Sequence, residues 1–225
     1  NEVKDHTINP GQSVWIGGKE ESVADIYYEP NGEEGGKTLY RAHRLTVVPT
    51  DFVEMTKPYL QTVSDSSIWI TWKTSTPSSS QVRYGTDSTH LTELATGEEA
   101  ELSDTYYWHS VQLKGLEANT LYFYQVVSGD KESEVYRFRT APRQGGNTPM
   151  RILLMGDHQI KTRSGYEWLM QAAKRKVEEK YGNVEENISM IMNIGDQVDV
   201  GTLEQYEMIH LNKSSLLSPY LPIMT

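Results

Sequence analysis

The chain contains no cysteine. Disulfides, zinc–thiolate sites and cysteine nucleophiles are therefore excluded, while the redox compartment stays open. Positive charge is scarce too: 21 Lys and Arg stand against 31 Asp and Glu, for a formal net charge of −10 and a pI of about 5.1. A nucleic-acid backbone or an anionic membrane surface is a poor partner for such a chain. No apolar run is long enough to span a bilayer, and nothing resembles a signal peptide. The opening Asn1-Glu2-Val3-Lys4 reads as a mature or trimmed start, from which an export signal would already be gone. Phenylalanine is rare as well, at three residues against 14 Tyr and five Trp. Amphipathic aromatics in that proportion suit β-structure better than a helical bundle.

What is present falls into four stretches. Residues 1–50 form a β-rich amino-terminal segment with turn marks at Pro10-Gly11, Gly17-Gly18, Asn31-Gly32 and Gly35-Gly36. Strands are expected over Ser13–Ile16, Val23–Tyr28 and Thr38–Val48. The loops carry no recognisable chemistry, and His6 and His43 read as surface or packing residues. Residues 51–142 alternate with the period of half-buried strands, as in Ile68, Ile70 and Trp72 against Trp69 and Thr71. The run Leu116-Glu-Ala-Asn-Thr120-Leu-Tyr122 has the form of a tyrosine corner in an immunoglobulin-like sandwich. Residues 143–149, Arg-Gln-Gly-Gly-Asn-Thr-Pro, are a linker by composition.

Beyond the linker, over residues 150–225, the pattern turns to strand, helix, strand, helix, strand, which makes parallel βαβ units. Met150–Gly156 and Ser189–Gly195 are short apolar runs suited to strands buried on both faces, and each stops at Gly-Asp, at Asp157 and Asp196. Carboxylates there stand at the carboxyl edge of the sheet, where α/β sheets place ligands. Between them, Ser164-Gly-Tyr-Glu167 is a capping box opening a helix that should bury Leu169, Ala173, Val177 and Tyr181. Lys174-Arg175-Lys176 reads as a solvated face late in that helix, with Gly182 as its terminator. Thr202-Leu-Glu-Gln205 is a second capping box, and Pro222-Ile-Met-Thr225 begins a third strand. Hard metal ions take carboxylate oxygens, and two ions can share one carboxylate as a bridge. One Gly-Asp is a weak signal, since Asp after a strand is often a cap or turn former. The pair, with Gly195-Asp-Gln-Val-Asp199-Val-Gly201, is more specific.

The sandwich stretch, with its His109-x-Val111-x-Leu113-x-Gly115-Leu116 run, resembles a fibronectin type III-like domain and, more narrowly, the amino-terminal domain of the purple acid phosphatases. The Gly-Asp pair resembles the first two motifs of the dinuclear, calcineurin-like metallophosphoesterases, the superfamily that holds those phosphatases. The resemblance implies an immunoglobulin/fibronectin III-like sandwich followed by the first βαβαβ part of an α/β metallophosphoesterase domain. It implies an acid-phosphatase-like hydrolase of phosphate monoesters that uses two metal ions (iron, zinc or manganese), with Asp157 binding the first and Asp196 bridging both. Purple acid phosphatases place a tyrosine where this chain has Asp199. The Gly-Asp-x-Val-Asp-x-Gly form is closer to the protein phosphatases, so Asp199 is expected to orient a catalytic histidine. Gln159 offers only a neutral amide oxygen and is not expected to be a strong ligand. His109 is expected to pack or hydrogen-bond within the sandwich, and His158 to take a backbone-packing or solvent role rather than bind metal.

The family's Gly-Asn-His motif and its later histidines do not occur in these 225 residues. The chain is therefore expected to be an amino-terminal fragment lacking the carboxy-terminal part of the catalytic domain, with weak metal binding and little activity alone. An exposed sheet edge is expected, and homo-oligomers are open to it. Location is expected to be secreted, periplasmic or cell-surface. A second reading is a binding module whose sandwich takes a carbohydrate or protein through Tyr106-Tyr107-Trp108, with a relic hydrolase part. A dinucleotide-binding sheet is excluded by the missing Gly-x-Gly-x-x-Gly turn.

Overall fold

The structure, a computed structural model, describes residues 3–8, 13–22, 25–47, 55–103, 106–159 and 165–225. The expected Pro10-Gly11 turn and the Ser164 cap lie outside these. The chain divides into two compact units, Asn1–Phe52 and Val53–Thr225.

The first unit contains β1 (Lys4–Ile8), β2 (Val14–Ile16), β3 (Lys19–Glu21), β4 (Asp25–Glu34) and β5 (Lys37–Val47). β5 is the centre of one sheet, antiparallel to β4 and parallel to β1, while β2 and β3 form a separate hairpin. Gly17-Gly18 and Gly35-Gly36 make the expected turns at positive φ, which glycine adopts without strain. Asn31-Gly32 does not turn the chain. It lies inside β4, where the register against β5 shifts between Pro30 and Glu33, so a bulge absorbs it. His6 and His43 pack as expected, but against each other: His6 Nε2 lies 2.8 Å from His43 Nδ1, and His43 Nε2 lies 3.2 Å from Glu29 Oε1.

The second unit opens with a sandwich. One sheet orders β6 (Tyr59–Gln61), β7 (Ser67–Thr74), β11 (Tyr106–Lys114) and β10 (Glu98–Ser103); the other has β8 (Gln81–Gly85) and β9 (Glu93–Thr96) beside β12 (Leu121–Ser128), which also pairs with β13 (Lys131–Glu132) and β14 (Tyr136–Arg139). The expected inward set Ile68, Ile70 and Trp72 is fully buried between the sheets. Tyr122 closes the tyrosine corner, its hydroxyl accepting from the Glu117 N–H at 3.0 Å. His109 is likewise internal: its two ring nitrogens lie 2.7 Å from the Thr74 hydroxyl and 2.8 Å from the Ser80 hydroxyl, and the ring stacks on Trp72. Strict alternation fails at one place. Thr71 and Lys73 point away from the sandwich core yet are buried, because the following layer covers that face.

That layer is the parallel sheet β15 (Ile152–Met155), β16 (Met190–Asn193) and β17 (Ile223–Met224), in that order. Helices α1 (Gly165–Tyr181) and α2 (Val184–Asn187) lie between its first two strands. Between β16 and β17 runs a helical segment made of α3 (Leu203–Gln205), a π-helical stretch at Tyr206–Leu211, and α4 (Asn212–Ser214). The expectation of strands buried on both faces is corrected. Leu153, Met155 and Ile191 pack into the core, whereas Ile152 and Leu154 are 42% and 65% exposed, because no described layer covers that side. The buried face of α1 also differs from expectation. Val177 and Ala173 pack inward as expected, but Tyr166 and Met170 join them in place of Leu169 and Tyr181, which are exposed. Gly182 ends α1 at φ 86°, its N–H bonding the Glu178 carbonyl.

The two layers of this unit are joined by polar contacts of good geometry. Arg137 grips Glu185 with two nitrogens at 2.8 and 2.6 Å, the Leu60 N–H donates to the Ser218 carbonyl at 3.1 Å, and buried Lys73 pairs with Glu207. Tyr124, wholly buried, donates its hydroxyl to the Pro219 carbonyl at 2.6 Å. Tyr124→Phe strands that carbonyl. We expect it to cost about 1–2 kcal/mol, read in urea unfolding as a lower midpoint with an unchanged slope.

Candidate functional site

Both Gly-Asp turns lie at the carboxyl edge of the parallel sheet, and backbone bonds stitch them together. The Ile194 N–H donates to the Met155 carbonyl at 2.8 Å, the Asp157 N–H to Gly195 at 3.3 Å, and the Gln159 N–H to Asp196 at 3.1 Å. A Cβ on Gly156 would stand 2.8 Å from Ile194 Cγ1, so a larger residue there would have to displace the exposed Ile194 side chain. Asp157 and Asp196 both take left-handed backbone, at φ 52° and 49°. That conformation costs an L-residue about 1–2 kcal/mol, least for Asn and Asp, whose short side chains bond locally. Both carboxylates are exposed. The Gln159 side-chain nitrogen donates to Asp196 Oδ2 at 3.2 Å, which leaves its buried Oε1 without a hydrogen-bond partner among the described residues.

Asp199 follows in an exposed bend. It does not cap the next helix: Thr202 does, its hydroxyl accepting from the Gln205 N–H at 3.3 Å, while Gln205 reaches back to the Val200 N–H at 2.8 Å. Among the described residues no group of three or more His, Asp or Glu side chains gathers where it could hold a metal ion. The edge brings together Asp157, Asp196 and Gln159 by their backbone and leaves Asp199 on the loop beyond. The two exposed carboxylates are hard donors of the kind a hard cation takes, and the buried Gln159 amide oxygen does not add a third.

Beneath this edge lies a buried line that sequence spacing does not disclose. The Tyr59 hydroxyl, on the sandwich, is 2.8 Å from His210 Nε2, and His210 Nδ1 is 3.0 Å from His158 Nε2. The residues are 151 and 52 positions apart. The His158 ring stacks on Tyr166 with centroids 3.8 Å apart, so the residue after Asp157 is anchored from two sides. His158 thus packs rather than meeting solvent, in keeping with one of the two roles expected of it. The π-helical stretch carries His210 into the line; such stretches recur at functional sites. Burial, helped by the neighbouring His158, lowers the His210 pKa from 6.5 to about 4. Burial also lowers that of His158. His158 Nδ1 has no hydrogen-bond partner among the described residues, and the Asn193 amide lies beside the Tyr166 hydroxyl. This leaves polar capacity directly under the turns.

With this geometry in view, likeness to known proteins has a definite place. The sandwich is of the immunoglobulin-like class. Within that class, residues 56–140 match the family model of the purple acid phosphatase N-terminal domain. Among solved structures the chain is similar to PhoD, with a TM-score of 0.50 at 16% identity over 74% of this chain and 37% of that one. The chain thus spans little more than a third of that structure's length. A weaker likeness, TM-score 0.34 at 17% identity over 43% of this chain and 97% of that one, is to the sensor domain of the anti-sigma factor RsgI4 in Pseudobacteroides cellulosolvens. No curated protein matches the sequence. The likeness to the purple acid phosphatase N-terminal domain is therefore shown for residues 56–140. Among the described residues no helix is long and apolar enough to cross a membrane.

Two measurements check the buried line. As pH falls from about 6.5 to about 4 the unfolded chain takes up a proton that folded His210 refuses. Stability therefore falls across that window, by up to about 1.4 kcal/mol per pH unit for this one group, and its contribution flattens below it. His210→Gln should remove that part of the slope in urea midpoints taken at stepped pH. Tyr59→Phe should raise amide hydrogen exchange at Asp157 and Gln159 more than at the sandwich strands, since it cuts the line at its sandwich end.

Proposed function

We propose that the chain is the amino-terminal part of a metal-dependent phosphate ester hydrolase of the purple-acid-phosphatase kind, acting on phosphate monoesters. The observation that carries it is the pair of stitched Gly-Asp turns behind a sandwich of that family. In this reading Asp157 would hold one ion and Asp196 would bridge two of them, with iron, zinc or manganese as the metal. Bound ions of this sort supply Lewis acidity and a water acidified to near neutrality. The chain's own residues do the positioning. Gly156 leaves space for the Ile194 side chain, the Gln159 amide fixes one oxygen of Asp196, and the backbone bonds at Gly195 and Asp196 hold the carboxylates on a single edge. Asp199, on the exposed loop beyond, would orient a catalytic imidazole supplied from outside these residues. An exported location goes with the same reading, as does dependence on further histidine-bearing sequence to complete the centre.

The test compares the 225-residue chain with the chain extended through whatever its gene encodes after Thr225. Elemental analysis and turnover of a nitrophenyl phosphate are measured on both. The extended protein is expected to carry stoichiometric metal and to turn over; Asp157→Asn and Asp196→Asn should each reduce metal content and activity at least about tenfold. Robust turnover by the 225 residues alone would overturn the divided site. An extended protein with neither metal nor turnover would sink the hydrolase reading.

A further inference from the structure

Away from the metal edge, a cleft of about 290 Å³ opens between the outer face of β6 and β7 and the helical segment ending in α4. Its walls are of two kinds. Tyr59, Trp108 and Leu211 supply apolar and aromatic surface. Most of the polar groups are spent within the fold: the Thr56 hydroxyl accepts from the Lys73 N–H, the Thr71 hydroxyl donates to the Tyr59 carbonyl, and the Ser218 hydroxyl donates to the Pro58 carbonyl. Lys57, Asn212 and Ser215 also line the cleft, and their side chains have no hydrogen bond or ion pair among the described residues. The Trp108 indole N–H is equally free among them.

We propose that this cleft binds a single anionic monosaccharide, a sugar ring carrying a carboxylate or a phosphate. The volume sits at the foot of the range for small-molecule pockets, roughly 300–1,000 Å³. It admits one sugar ring. An indole in the wall offers its face to the C–H side of a sugar while its N–H reaches a hydroxyl. The Asn212 amide and the Ser215 hydroxyl can each give and accept hydrogen bonds, as a polyol requires. An unpaired ammonium at Lys57, in a chain of net charge −10, selects a ligand with a negative group over a neutral sugar. Lys73 is not available for that purpose, since Glu207 already neutralises it.

The site does not depend on the metal edge, so the test uses the 225-residue chain without metal. Isothermal titration calorimetry is run with glucuronate, glucose 6-phosphate, glucose and inorganic phosphate. Saturable binding is expected for glucuronate, glucose 6-phosphate or both, and whichever is tighter tells carboxylate from phosphate. Glucose and inorganic phosphate should each bind at least about tenfold more weakly, the worth of one hydrogen bond to a charged group. Lys57→Gln should bring the anionic sugar down to the level of glucose, and Trp108→Leu should abolish binding. Asn212→Ala, at an exposed position that leaves the fold intact, should weaken it several-fold. No saturable heat at millimolar concentration from either anionic sugar overturns the proposal. So does glucose binding as tightly as glucuronate, phosphate binding as tightly as glucose 6-phosphate, or binding untouched by both Lys57→Gln and Asn212→Ala.

Discussion

The line from Tyr59 through His210 to His158 is the constraint around which the second unit is arranged. Tyr59 belongs to a sandwich strand, His210 to a helical segment, and His158 to the loop after the first parallel strand. Three elements far apart in sequence are tied by two hydrogen bonds inside the fold. Buried imidazoles are costly unless paired, so once the line forms it fixes where the helical segment can lie on the sandwich. Burial of Thr71 and Lys73 on the outer face of β7 follows from that placement. So does the pairing of Lys73 with Glu207, one of the few ways to bury an ammonium without deprotonating it.

The same line sets the mechanical boundary condition of the metal edge. Asp157 is followed at once by a side chain held from below by His210 and stacked on Tyr166. Asp196 is held from the side by Gln159. The two carboxylates therefore gain their position from different supports, one reaching down to the sandwich and one running along the sheet edge. The sandwich is thereby connected to the Gly-Asp edge by a continuous set of contacts.

Much of this was legible in the sequence where the physics is local. Alternation gave Ile68, Ile70 and Trp72 their inward face, because a strand's side chains must alternate whatever lies around it. The tyrosine corner at Tyr122 and the glycine at the end of α1 are local geometries with local signatures. Local rules failed where the neighbours decide. Asn31-Gly32 is a turn dipeptide, yet pairing with β5 keeps it in a bulged strand. The apolar residues of α1 permit two neighbouring stripes, and the packing against Ile191 and Leu217 selects Tyr166 and Met170 over Leu169. The histidines were the least legible. No spacing rule connects positions 59, 158 and 210, since a buried polar contact between distant elements leaves no periodic trace. Asp157 and Asp196 stood out because Gly-Asp repeats after an apolar run; Gln159 did not, because its amide acquires meaning only beside the Asp196 carboxylate.

The left-handed backbone of Asp157 and Asp196 has a further consequence. Glycine at either position would relax the chain, so a sequence drifting toward stability alone would be drawn to Gly-Gly at both turns. The aspartates hold the chain slightly above its conformational minimum, and the carboxylates are what it obtains in exchange. Directed evolution for heat resistance would therefore be expected to erode this edge first, trading the two carboxylates for a sturdier backbone.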